Sequence, residues 1–355
     1  MRISVQGIGP FGCFGAGAGD LEALLTGTRV VPPEIDKIER DGNIFELPWF
    51  KARTSKLEAF IPRKKLRRID RFSTMALLGA HLAIADAGVG PEDLENTGII
   101  VATGYGASGT TFSFLDSFLN KGDRLSVPTH FSNSVHNAAA AHITVLLGIK
   151  GPCLTVSQFD LSVASALFTA VSWLQEERVT SVLVGGVDEY NPVVGYATAG
   201  LNAESPDPST IAGEGGCFFL LSREDTNNGA GYGYLTEVDM VAQDKAPRPS
   251  NTHPVIVGSQ GYGGCHGKDY GVDDSDLSHD SFLCYDSLYG KFPAAAAIDL
   301  GAACLCLKNR HLFPPPQGTG MDKSTISAVL KGIHCLSPGN DTLWGAVTLA
   351  SKYLL

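Results

Sequence analysis

Asp160 stands where this sequence positions a reactive side chain. A break at Gly151-Pro152 precedes the short apolar run Cys153-Leu154-Thr155-Val156, which reads as a buried strand. Residues 161–175 then carry no charge, and Leu161, Ala164, Leu167, Val171 and Leu174 recur at helical spacing. A helix uncharged on every side is expected to be buried. It is too short and too rich in hydroxyls to span a bilayer. Val182-Leu183-Val184 and Gly185-Gly186 follow as a second buried strand. Strand, sharp turn, helix and strand together present one side chain at the mouth of a buried helix. There the helix dipole favours an anion, and a thiol would lose its proton easily. This chain puts a carboxylate at that point, and its plainest reading is a helix N-cap.

Other residues of chemical type are less well placed. Cys265-His266 lies in a Gly-rich loop. Neighbours in sequence seldom meet as nucleophile and base, because such pairs usually come from different segments. Cys304-Leu305-Cys306 has no second ligand pair at zinc spacing, so no metal is expected. Gly7-Ile8-Gly9-Pro10-Phe11-Gly12 is not followed by the strand and acid of a dinucleotide site, and no cofactor is expected. His130 and His136 fall in one polar segment, where a structural or interface role is the expectation.

Around these residues the chain offers 355 positions, 44% hydrophobic and only 18% charged, enough for a large core with much buried sheet. Its formal charge of −10 argues against nucleic acid or an anionic membrane as partner. It also argues against broad electrostatic capture of an acidic protein, with one local exception at Arg63-Lys64-Lys65 and Arg67-Arg68. Most of the eight cysteines sit in apolar runs, and no leader reads before Gly7, so reduced thiols in a cytoplasmic protein are expected. Residues 2–9 read as a first strand entering a Gly-rich turn. Residues 28–62 read as an irregular surface excursion, 67–88 as an amphipathic helix, and 98–103 as a buried strand. Asn227-Asn228-Gly229 is a turn signal that divides the chain.

These features resemble the β-ketoacyl synthases of the thiolase superfamily. The resemblance is carried by the unit from Gly151-Pro152 to Gly185-Gly186, by Arg68-Ile69-Asp70-Arg71-Phe72 with Ala85-Asp86-Ala87-Gly88, and by Gly213-Glu214-Gly215-Gly216. Pro128-Thr129-His130-Phe131-Ser132-Asn133-Ser134-Val135-His136-Asn137 resembles the chain-length-factor branch of that family. The fold implied is a five-layered α-β-α-β-α arrangement in two similar halves, 1–225 and a shortened 230–355, with sheets of two subunits meeting across a dimer axis. Family members that condense acyl groups use a Cys at the elbow and two histidines, which stabilise the enolate and oxyanion. By the same alignment Asp160 takes the Cys place, Gln260 the first His place and Lys291 the second.

A carboxylate can neither carry an acyl group as a thioester nor release it by thiol exchange. The resemblance therefore implies a catalytically silent subunit that pairs with an active ketosynthase, or with itself, and serves an acyl carrier protein. Phe131, Ser134, His136, Asn137 and Phe159 are implied as tunnel or interface residues, and an Asp160–Lys291 ion pair is expected. The alternatives are an acyltransferase or decarboxylase with rewired chemistry, and a homodimeric acyl-binding scaffold.

Overall fold

Strand β1 (Ile3–Gly12) is buried along its whole length and lies at the centre of the molecule. In chain order the other strands are β2 (Gly15–Ala16), β3 (Glu34–Arg40), β4 (Asn43–Phe50), β5 (Thr97–Ala102), β6 (Cys153–Val156), β7 (Ser181–Asp188), β8 (Ala212–Gly213), β9 (Gly215–Ser222), β10 (Tyr234–Ala242), β11 (Val255–Val257), β12 (Phe282–Leu283), β13 (Gly332–Pro338) and β14 (Leu343–Ala350). The structure is a computed structural model that describes residues 2–40, 42–122, 127–201, 211–223, 231–250, 252–258, 282–314, 316, 330–339 and 342–353.

The large sheet runs β12-β11-β13-β14-β10-β1-β9-β7-β5-β6. Beside the short β2, which pairs with β1, these ten strands form two sets of five, joined where Ile3 and Ser4 of β1 meet Leu235 and Tyr234 of β10. Within each set the pairing is the same. The first strand is antiparallel to the last, the last antiparallel to the fourth, and the fourth, second and third run parallel. Residues 224–230, where the sequence places the boundary between halves, lie outside the described residues.

Helix Ser162–Gln175 packs on β5 and β7 of the first set and on β10 and β14 of the second. Helix Ala296–Asn309 likewise packs on β9 and β13. The two helices form the middle layer, which is why both sequences are nearly free of charge. Helices Arg71–Ala87 and Ala138–Leu147 cover the outer face of the first set. On the outer face of the second set Val255, Val257, Leu336, Trp344 and Ala346 form a separate small core.

Close approach of layers depends on small residues. A Cβ at Gly79 would lie 2.5 Å from the Phe218 ring and 2.6 Å from the Phe11 ring. Helix Arg71–Ala87 starts at Asp70, whose carboxylate accepts the Ser73 N–H, and stops at Gly88 in the left-handed region.

Three local readings are corrected. Residues 28–62 contain a regular hairpin, β3–β4, which β8 extends into a second, three-stranded sheet. Its register was hidden by charges on β3, which is largely solvent-facing. Helix Ser162–Gln175 is not enclosed all round, since Phe168 is 47% exposed in the single chain. Cys153 is exposed and Cys284 is disulfide-bonded, unlike the reduced, buried thiols expected.

Candidate functional site

The elbow after β6 is a single 3-10 turn, Phe159–Leu161, that feeds directly into helix Ser162–Gln175. Phe159 adopts φ 46°, a conformation that costs a non-glycine residue energy and marks a tight, over-determined turn. Asp160 does not cap the helix, as the sequence suggested, because its side chain makes no hydrogen bond to a helix N–H. No side chain caps the helix, and the Ser162 hydroxyl braces the elbow instead: it accepts from the Gln158 N–H at 2.8 Å and donates to the Thr103 carbonyl at 3.0 Å. The Asp160 carboxyl instead lines a narrow cavity with Gly258, Asp286, Phe292, Pro293, Ala295, Ala296, Asp299, Ser337 and Pro338.

That cavity brings together four stretches of the chain: the elbow, the end of β11 at Gly258, the segment from Asp286 to Asp299, and the end of β13 at Ser337 and Pro338. Gln260, Cys265 and His266 lie outside the described residues. Lys291 is held by its backbone, whose N–H donates to Ile211 and whose carbonyl accepts from Gly213. Its ammonium lies 3.6 Å from Asp286, and the two side chains are 8% and 13% exposed. The expected Asp160–Lys291 pair is therefore not formed. Asp286 opens the short helix Asp286–Tyr289 immediately before Lys291, and reaches the ammonium first.

Electrostatics agree with this. Burial pushes the Asp160 carboxyl up to about 7, and the charge of Asp188 adds to the shift. An adjacent ammonium would have drawn it the other way. Asp188 is fully buried at the end of β7 and organises the site. Its carboxylate accepts from the Thr103 hydroxyl at 2.5 Å and from the N–H groups of Gly104 at 3.0 Å, Tyr105 at 2.8 Å and Ala294 at 2.9 Å. One side chain thus ties the turn after β5 to the turn after Lys291. Burial raises Asp188 to about 6 against the opposing effect of those donors.

The turn at Gly104–Gly106 is the common neighbour of the remaining candidates. A Cβ at Gly104 would strike Pro293 at 2.3 Å and approach the Phe159 Cα at 3.3 Å. Gly106, at φ 61°, lies against the His136 ring. The segment read as tunnel or interface therefore packs beside the elbow. Phe131 is 59% exposed and its ring meets Phe114 at 5.3 Å. Ser134 donates to the Phe131 carbonyl, while His136 and Asn137 face solvent in the single chain. Asn133 binds the Arg68 carbonyl and so anchors this segment to the basic cluster. His130 Nδ1 is buried without a hydrogen bond.

Asp188, Asp286 and Asp299 were not singled out from sequence. Asp299 was detectable, as the one charge in the apolar stretch 294–307. It is 4% exposed, accepts a hydrogen bond from Tyr289, and is pushed up to about 7 by burial. A second buried group supports the fold beside the site. Glu214, fully buried, receives the Arg71 guanidinium and the N–H groups of Ala52 and Tyr190. Glu189 beside it is raised to about 8 by burial, then by the neighbouring Asp70 and Glu214 charges.

Two similar five-stranded sets around a pair of buried helices, with an elbow at the end of the third strand, define a thiolase-like α-β-α-β-α protein. The profile "Beta-ketoacyl synthase, N-terminal domain" matches residues 46–226, and the chain belongs to the β-ketoacyl synthase family. Nodulation protein E of Rhizobium leguminosarum bv. trifolii is 26% identical over 197 residues, covering 53% of this chain and 47% of that protein. The chain thus spans about half the length of the curated relatives it matches. Among solved structures, the ishigamide ketosynthase/chain length factor superposes with a TM-score of 0.74 at 17% identity over 99% of both chains. The ketosynthase of a type II polyketide synthase in complex with its acyl-carrier protein, AntDE:AntF, superposes at 0.72 and 15% identity, also over 99% of both. No helix among the described residues is long and apolar enough to cross a membrane.

Proposed function

We propose that this chain is a ketosynthase-like subunit without condensing chemistry of its own, which associates with an active ketosynthase and helps shape the acyl cavity. The observation that carries the reading is the chemistry of two side chains. A carboxyl, which cannot carry an acyl group as a thioester, stands in the elbow cavity at Asp160, and Lys291 is paired with Asp286 at its edge. Neither offers a thiolate or a neutral imidazole.

Strand β6 supports a partner. It is the last strand of the sheet, paired with β5 on one side, and its residues are half-exposed or exposed. Unpaired edge groups of this kind invite another strand. Apolar side chains surround that edge, including Leu154, Phe168 and Val145. Acyl carrier protein is the second partner proposed. Arg63, Lys64, Lys65, Arg67 and Arg68 are all exposed and give an otherwise acidic chain one basic face for an acidic carrier.

Co-expression with a candidate intact ketosynthase, followed by size exclusion, tests this. A 1:1 complex that condenses acyl and malonyl carrier substrates, while this chain alone yields neither product nor acyl adduct by mass spectrometry, is the expected result. Condensation by the isolated chain overturns it. A stable dimer of this chain that ignores every ketosynthase favours the scaffold reading instead.

A further inference from the structure

His253 and His334 form a pair of imidazoles away from the elbow cavity. Their ring centres are 5.4 Å apart and their planes differ by 26°. Both residues are half-buried. They come from different segments. His334 is in β13, directly opposite Thr348 of β14. His253 precedes β11, and its ring lies over Gly332, where a Cβ would stand 2.7 Å from Cδ2 and 3.0 Å from Nε2. Gly332 and His334 are two positions apart in one strand and share a face of the sheet. The glycine thus leaves room for the neighbouring segment to set a second imidazole beside His334.

Both rings are held by the same nitrogen. His253 Nδ1 is 3.1 Å from the Thr252 hydroxyl, and His334 Nδ1 is 2.9 Å from the Thr348 hydroxyl. A hydroxyl that accepts from Nδ1–H fixes the tautomer and leaves the Nε2 lone pair bare, as partners of metal-binding histidines do. Neither Nε2 has a hydrogen-bond partner among the described residues. The backbone is fixed as well. The Thr252 carbonyl accepts the N–H groups of Lys331 at 3.0 Å and Gly332 at 3.3 Å, and the Pro254 carbonyl accepts the His334 N–H at 3.0 Å.

The ring separation fits a shared ion. An imidazole nitrogen binds zinc at about 2.0–2.1 Å, which puts the centres of two rings on one ion about 4.5–5.5 Å apart. We infer that His253 and His334 bind a late first-row divalent cation, nickel, copper or zinc, through their Nε2 atoms. No third His, Cys, Asp or Glu among the described residues joins them, so water fills the remaining positions. Imidazole ligands select these metals over magnesium and calcium, which take oxygen. A bound ion ties the segment before β11 to β13. It thereby steadies the strand that leads to Gly258 in the elbow cavity.

Titration calorimetry with nickel chloride on the untagged full chain tests the site, in a Cys153→Ser background that removes the exposed thiol. One saturable equivalent is expected, weakened at least tenfold by His253→Gln and by His334→Gln. Magnesium chloride should give no heat of binding. Electron paramagnetic resonance of the copper(II) complex at one equivalent should show two imidazole nitrogens, and one in either variant. If His334→Gln does not fold, His253→Gln and the copper spectrum decide. Absence of saturable binding, affinity unchanged in His253→Gln, or a copper spectrum with fewer than two nitrogens overturns the inference. It does not rest on subunit pairing, and its failure would leave co-purification with a ketosynthase untouched.

Discussion

Lys291 Nζ lies 3.6 Å from Asp286 Oδ2, and both side chains are largely withdrawn from solvent. Five residues apart in sequence, they close the turn that leads into the middle-layer helix. The lysine therefore neutralises its own turn and leaves the elbow carboxyl uncompensated.

Lys291→Met should destabilise the protein by about 3–5 kcal/mol, because it strands a nearly buried carboxylate. Adding Asp286→Asn should recover much of that loss. Asp160→Asn in the Lys291→Met background should instead be additive. Urea unfolding of Lys291→Met, its two double variants and Asp160→Asn alone checks this, and strong coupling between positions 160 and 291 would contradict the pairing described.

Stability should fall as pH rises from about 5 to 8. Asp160 and Asp299 are raised to about 7 and Glu189 to about 8, so the folded chain holds protons that the unfolded chain has released. That contribution is complete below the ordinary carboxylate range and is lost as pH passes through the raised values. Each group adds a slope of at most about 1.4 kcal/mol per pH unit. Urea midpoints at pH 5.5 and pH 8 measure the effect, and Asp160→Asn should flatten it.

Arg71→Ala should be among the most damaging substitutions, costing about 3–5 kcal/mol. Glu214 is fully buried and would lose its only counter-charge among the described residues. Arg71→Lys should rescue poorly, since Nε and an Nη atom contact different oxygens of Glu214 and a lysine offers one point charge. Thermal melts of the two variants give the comparison.

Leu154→Lys should weaken self-association or partner binding at least tenfold and leave the monomer's melting temperature nearly unchanged. Leu154 is on the exposed edge strand β6 and is 38% exposed. A charge on such an edge blocks strand addition without disturbing the core. Sedimentation velocity with and without a ketosynthase partner reads it out.

Much of the fold was legible from order along the chain. The apolar runs at 98–103, 153–156 and 182–186 are strands, and the uncharged stretch at 161–175 and the apolar stretch at 294–307, with Asp299 its one charge, hold the two central helices. A helix with almost no charge on any face is stable when packed between two sheets. The hairpin at Glu34–Phe50 was missed because β3 alternates charges with few apolar residues, and its pairing is fixed by β4 and β8 rather than by its own pattern.

The sequence alone determined that a carboxylate, not a thiol, occupies the elbow, since residue identity at the mouth of that helix needs no coordinates. Tertiary structure decided which charges meet. Asp188 reaches the turns after β5 and after Lys291, Asp286 takes Lys291, and Asp299 accepts from Tyr289. Ion pairing depends on distances of a few ångströms and on burial, and the burial arises only when segments far apart in the chain pack together.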